Sequence, residues 1–177
     1  MQFIKQSDIE LVVGLEYVQT YFPTANTFDS FEAIAISEAK SYLLSANVDI
    51  AKLFTMPPLF DKAKNYEAGE LVTYNSQTFY CLKQSFWKLP SESEFWALQD
   101  PRHSYLVLVL VNIMVYHATM QLSVHTLSEA RTKAYEDAKK WLSDVANGRV
   151  QLNTLPINEE KKPTVFFFSS NVPKLPM

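Results

Sequence analysis

Apolar residues recur at helical spacing in several stretches of the chain and alternate with polar ones in another. From "SDIE" onward, Ile9, Val12, Val13 and Leu15 make a short apolar face. Ser7 is placed to cap this helix, and Glu10, three residues on, to reach back as a capping box. A second helix opens at Asp29 in "DSFE". Phe31, Ile34, Ala35, Ala39, Tyr42, Leu43 and Ala46 follow the i, i+3, i+4 rhythm, and Glu32, Glu38 and Lys40 occupy its polar face. Between the two, "VQTYFPTANTF" reads as a loop with Pro23 and Asn26 as breakers. "VDIAKLF" adds one helical turn with Asp49 as its cap.

A third helix begins near Asp100-Pro101, proline being tolerated in a first turn, and runs to about Leu122. It is apolar on nearly all sides through Val115, which predicts a central place in the core. Its run "YLVLVLVNIMVY" is interrupted by Asn112 and falls short of the roughly 20 residues that span a bilayer, so a buried core helix is expected. A fourth helix opens at "TLSE", Thr126 to Glu129, a further capping box. Ala134, Ala138, Trp141, Leu142 and Val145 form its apolar face, and Gly148 is placed for a left-handed cap at its end.

The period changes after Met56-Pro57-Pro58. "ELVTY" and "TFYCLK", joined by "NSQ", predict a β-hairpin, and "LPSESEFWAL" offers a loop and a third short strand. A structureless loop of about 45 residues inside a compact domain is unusual, so residues 56–100 read as a small inserted β module. The expected fold is mainly α: a small bundle of about four helices, residues 1–55 and 101–156, with the inserted β-hairpin module at 56–100. Residues 157–177 form an extended C-terminal tail.

Composition narrows the function. A net charge of −3 gives no reason to expect nucleic-acid binding by the whole-molecule field. A single cysteine, Cys81, excludes an intramolecular disulfide and fits a reducing compartment. "MQFIKQSDIE" turns acidic before any apolar run long enough for a signal peptide. Three isolated glycines, Gly14, Gly69 and Gly148, leave no dinucleotide or phosphate-loop fingerprint.

Candidate chemistry is sparse. His103, His117 and His125 are the only histidines, in no metal-ligand spacing, and no G-x-S-x-G elbow exists. His117 and Asn112, on the apolar helix, read as core polar groups satisfied by backbone or a carboxylate. Cys81, within a strand, reads as a packed thiol. No catalytic residue, metal or cofactor is expected. The charged face of the last helix, with Lys133–Asp137 and Glu136–Lys140 at i, i+4, is either a solvated face laced with weak pairs or a subunit interface. Three consecutive phenylalanines, Phe166, Phe167 and Phe168, would make a patch that soluble monomers avoid. They either return to the core or dock on another chain.

The order of these features carries a resemblance. Phe3-Ile4 precedes a short capped helix, followed by "AISEAKSYL" and "DIAKLF". A long apolar helix with a late histidine comes next, then "RTKAYEDAKKWLSDVANG" before Leu155-Pro156. Residues 1–54 and 101–156 resemble the phage head–tail connector family of Mu-like prophages. Ala39, Tyr42, Asp49, Arg131, Tyr135, Trp141-Leu142 and Gly148 match its pattern. The resemblance implies a viral structural adaptor without enzymatic activity. It would be assembled in the host cytoplasm into a ring, often of about twelve copies, beneath the portal protein of the virion. It would link the capsid to tail or other connector proteins around a channel that DNA passes without sequence-specific binding, and no membrane is involved. Arg131, Lys133, Tyr135, Lys139 and Phe166, Phe167 and Phe168 are the expected partner contacts.

The inserted module departs from that pattern. "YEAGELVTYNSQTFYCLK" is similar to small chitin-binding-type carbohydrate modules, with Tyr66, Gly69, Val72, Tyr74, Tyr80, Pro90 and Trp96 in the family's order. The alternative function this implies is a glycan-binding or other protein-binding module on a helical scaffold, with Tyr66, Tyr74 and Trp96 as contacts. A module this small needs the same aromatics for its own core, and that reading is the better supported one.

Overall fold

The computed structural model describes residues 2–46, 48–122 and 128–150. They form six helices and two small antiparallel sheets in the order α1 Gln6–Val13, α2 Leu15–Tyr21, α3 Ala25–Leu43, α4 Ile50–Leu53, β1 Asn65–Tyr66, β2 Leu71–Tyr74, β3 Gln77–Cys81, β4 Ser85–Phe86, β5 Trp96–Leu98, α5 Ser104–Leu122 and α6 Glu129–Ala146. The fold is mainly helical with a β portion, but the expected four helices are six among the described residues. The tail, His125 and Thr126 lie outside the described residues.

The extra elements come from helix starts that turn chemistry obscured. Gly14 adopts φ +87, a conformation open to glycine, and breaks one apolar stretch into α1 and α2. The expected loop from Val18 is therefore helical as far as Tyr21, with Val18 buried. Only Phe22 to Thr24 connect α2 to α3. Thr24, not Asp29, caps α3: its Oγ1 accepts the Thr27 N–H at 3.2 Å. Likewise Lys5 precedes α1 in place of Ser7, and the Asp8 carboxylate takes the Lys5 N–H at 2.7 Å. Asp49 caps α4 by accepting from Lys52 N–H at 3.0 Å.

Pro101 is not in the first turn of α5. His103 is the cap, its Nδ1 accepting the Leu106 N–H at 3.2 Å. Helix α6 starts after Ser128, whose Oγ accepts from Arg131 N–H at 3.4 Å. It ends in a Schellman closure: Arg149 N–H donates to Asp144 O at 2.9 Å and Gly148 N–H to Val145 O at 3.0 Å, with Gly148 at φ +68.

Helix α5 is the axis of the bundle and touches α1, α2, α3 and α6. By length and composition alone Ser104–Gln121 could cross a bilayer; here Leu106, Val109, Leu110, Val111, Ile113, Met114, Val115 and Ala118 are buried among the other helices. α6 runs antiparallel to α5: Tyr135 stacks on Tyr116, and Trp141 sits 5.0 Å from Tyr105. On α3, Ile34 is exposed, against its expected place in the apolar stripe, because Phe31, Ala35 and Ala39 already define the buried face.

The β module has its own small interior. β2 and β3 form the expected hairpin, Leu71 opposite Tyr80 and Tyr74 opposite Gln77, and β5 joins the outer side of β3. Asn75 and Ser76, at φ 48 and 62, make the two-residue turn whose twist suits a hairpin. A second ladder, β1 with β4, was not visible in the alternation because each strand has two residues. Tyr66, Val72, Cys81 and Trp96 are buried, with Phe60, Phe79 and Phe95 packed around them.

Candidate functional site

Three groups of residues stand out against this scaffold. The first joins three helices. Glu38 of α3 receives the Tyr135 hydroxyl at 2.8 Å on one oxygen and meets His117 Nε2 at 2.7 Å on the other. Tyr135 stacks flat on Tyr116 with centroids 3.8 Å apart, and the Lys139 ammonium lies 4.4 Å from the Tyr135 ring centre. Burial raises the Tyr135 phenol pKa, and the Glu38 carboxylate adds to that. Glu38, expected on the polar face of its helix, thus belongs to a clasp between helices. The carboxylate reading of His117 is the one the structure forms.

The clasp has a histidine, a carboxylate and a phenol. Among the described residues, no serine, threonine or cysteine bonds to His117. The shallow depression beside Glu38 is lined by Ala33, Ile34, Ser37 and Ser41. Cys81 is buried, its thiol pKa raised by that burial, and it donates to Lys83 O at 3.0 Å. No group of three or more metal-ligating side chains occurs among the described residues. The arrangement holds helices together.

The expected contacts on α6 divide. Tyr135 is committed to the clasp. The Arg131 guanidinium rests 5.9 Å from the Tyr17 ring centre, and Lys139 covers Tyr135. Lys133 is exposed. Neither Lys133–Asp137 nor Glu136–Lys140 closes into an ion pair among the described residues; the ion pair formed at the end of α6 is Arg149–Asp144 at 3.2 Å. Phe166, Phe167 and Phe168 lie outside the described residues.

The second group fixes the module to the bundle. Arg102, just before α5, reaches Asp8 of α1 at 2.5 Å, Asp100 at 2.6 Å and the Phe3 carbonyl at 2.6 Å. The Arg102 hydrogen bonds hold the Asp100 carboxyl at about 2, below its ordinary 3.8. Nearby, Glu32 is buried and accepts the Ile4 N–H at 2.6 Å; burial raises its pKa despite that bond.

The third group is exposed apolar surface. On the module, Tyr66 and Trp96 are buried, so their faces are used in its interior; Tyr74 is half-buried and edge-on to Phe60. The aromatics that do face solvent are Phe86 and Trp87, 57% and 56% exposed, with rings perpendicular at 5.8 Å. Trp87 holds φ +61, an outlier for a bulky side chain, and Lys62 lies 5.3 Å from its ring centre. Sequence reasoning missed this pair; two adjacent large rings, Phe86 at the end of β4 and Trp87 just after it, were the available signal. On the bundle, a groove of about 560 Å³ between α1 and α5 is lined by Leu11, Val12, Val107, Leu108 and Val111, with Ser104 and the Asp8–Arg102–Asp100 ion cluster at one end. Leu11, 87% exposed, stands at its rim.

No family model, no curated protein and no solved structure matches this chain.

Proposed function

We propose that the protein is a phage structural adaptor of the head–tail connector kind, acting by binding and not by turnover. Its four longer bundle helices, with α2 and α4 as short links, serve as the scaffold. Copies associate into a ring of about twelve beneath a portal protein and pass the connection on to tail components. DNA runs through the channel without sequence readout, and the assembled protein resides in the virion. The observation that carries this reading is the apolar surface left open along α1 and α5 on a bundle whose polar clusters are internally satisfied. Contiguous apolar surface of this kind marks a contact site.

The resemblance in "RTKAYEDAKKWLSDVANG" supplies the kind of partner. Lys133 is the α6 contact free to reach it. Light scattering and electron microscopy of the purified chain, alone and mixed with its portal protein, test the reading. Closed rings or a portal complex are expected. A chain that stays monomeric in both conditions and is missing from purified particles would sink it.

One observation favours a second reading for the module alone. Phe86 and Trp87 offer two exposed ring faces beside Lys62, a surface suited to a glycan or a protein loop. Binding on a glycan array that Trp87→Ala abolishes would support the glycan occupant. An array without signal would leave a protein contact.

A further inference from the structure

The groove between α1 and α5 lies at the end of the bundle where the described chain stops. Trp141 packs 5.0 Å from Tyr105 and 6.1 Å from His103, so the last turns of α6 sit beside the first turn of α5. The chain leaves at Val150, which packs against the bundle core. Ser104, Val107 and Leu108, on those same first turns of α5, form one wall of the groove; Leu11 and Val12 form the other.

Residues 151–177 follow. Their most apolar segment is Val165 to Phe168. The groove is apolar along Leu11, Val12, Val107, Leu108 and Val111, and the Asp8 and Asp100 carboxylates at its end are already paired with Arg102. Apolar character therefore matches on the two sides. Reach also suffices: residues 151–164, extended at about 3.3 Å each, cover roughly 45 Å. The whole of α5, 19 residues, is only about 28 Å long. A tethered segment competes for such a groove at about millimolar effective concentration, which favours the chain's own tail over a neighbour's in dilute solution.

We propose that the segment Val165–Phe168 seats in the α1–α5 groove of its own chain, covering that apolar face before assembly. In an extended segment alternate side chains share a side, so Phe166 and Phe168 would enter together. The inference goes beyond the connector reading and is tested separately from it.

The test is a disulfide between the groove and the tail. In Leu108→Cys/Ser169→Cys, mild oxidation of the full chain at low micromolar concentration is expected to give an intrachain bond. Adding Phe166→Ser and Phe168→Ser should reduce its rate severalfold. As a second measurement, a chain ending at Pro156 should bind an apolar dye severalfold more than the full chain, with unchanged circular dichroism. Failure of the cysteines to bond, bonding only between differently tagged chains, or equal dye binding would each overturn the proposal. Rings seen by light scattering in any of these variants would leave the connector reading intact.

Discussion

The bundle buries a continuous, largely aliphatic interior around α5, whereas the buried apolar cluster of the β module is Tyr66, Val72, Cys81 and Trp96. A unit so small cannot gather enough aliphatic area, so it uses large rings whose polar ends also fix its loops. Trp96 Nε1–H donates to Lys88 O at 3.2 Å, and the Tyr66 hydroxyl accepts the Asp61 N–H at 2.7 Å. Phe60 meets Tyr66 and Trp96 at 5.5 and 5.9 Å. In the bundle, volume and polar fastening are separate tasks: Leu110 and Met114 fill space, and Glu38 ties helices. In the module the same residues do both.

The largest expected effect follows from that overlap. Trp96→Ala removes the module's central ring and one loop fastening, at a cost of about 4 kcal/mol. The helices should keep their far-ultraviolet dichroism and the bundle its near-ultraviolet bands from Tyr116, Tyr135 and Trp141, while the module's share of the near-ultraviolet signal is lost. Joint loss of both would show one cooperative unit and break the comparison. Leu110→Ala on α5 opens a cavity that rigid helices close only partly, costing about 3 kcal/mol in denaturant unfolding. Here helical and aromatic signals should fall together, since α5 underlies every neighbouring helix of the bundle.

Arg102 is where the two regions meet, and Arg102→Met probes whether they depend on each other. It leaves Asp8 and Asp100 without their cation and should cost about 2 kcal/mol, less than a fully buried pair because Asp100 is half exposed to water. The pH dependence has a definite sign. The folded Asp100 carboxyl sits at about 2, below the ordinary 3.8. Its contribution is therefore present above about pH 4 and is lost as pH falls toward 2. The difference between wild type and Arg102→Met should shrink over that acid range. A difference that stays constant there would show that Arg102 acts through packing alone.

Much of this arrangement is readable from residue order. The central place of α5, the β2–β3 hairpin, the Asp49 turn and the Gly148 ending follow from local pattern, because each depends on neighbours within a few residues. What pattern missed depends on distant partners. Glu32 and Glu38 look like one polar face of a helix, yet Ile4 N–H lies 28 positions from one, and His117 and Tyr135 lie 79 and 97 positions from the other. The split of α1 from α2 turns on the backbone angle of Gly14, whose lone occurrence in an apolar run was the only signal. The α1–α5 groove is invisible in sequence because its walls come from helices far apart in the chain, Gln6–Val13 and Ser104–Leu122.

The smallest effects come from removing one hydroxyl in each region. Tyr66→Phe strands the Asp61 N–H in a partly buried place and should cost about 1.5 kcal/mol. Tyr135→Phe keeps the stack on Tyr116 and leaves Glu38 still bonded to His117, so it should cost only about 0.5–1 kcal/mol. A double-mutant cycle with Glu38→Gln isolates the clasp, because both single changes act through the same hydrogen bond. A coupling of about 0.5 kcal/mol or more is expected. Equal costs for the two tyrosines, with no coupling to Glu38, would mean that the bundle's polar clasp and the module's polar ring ends fasten in the same way, and the contrast between the regions would reduce to size.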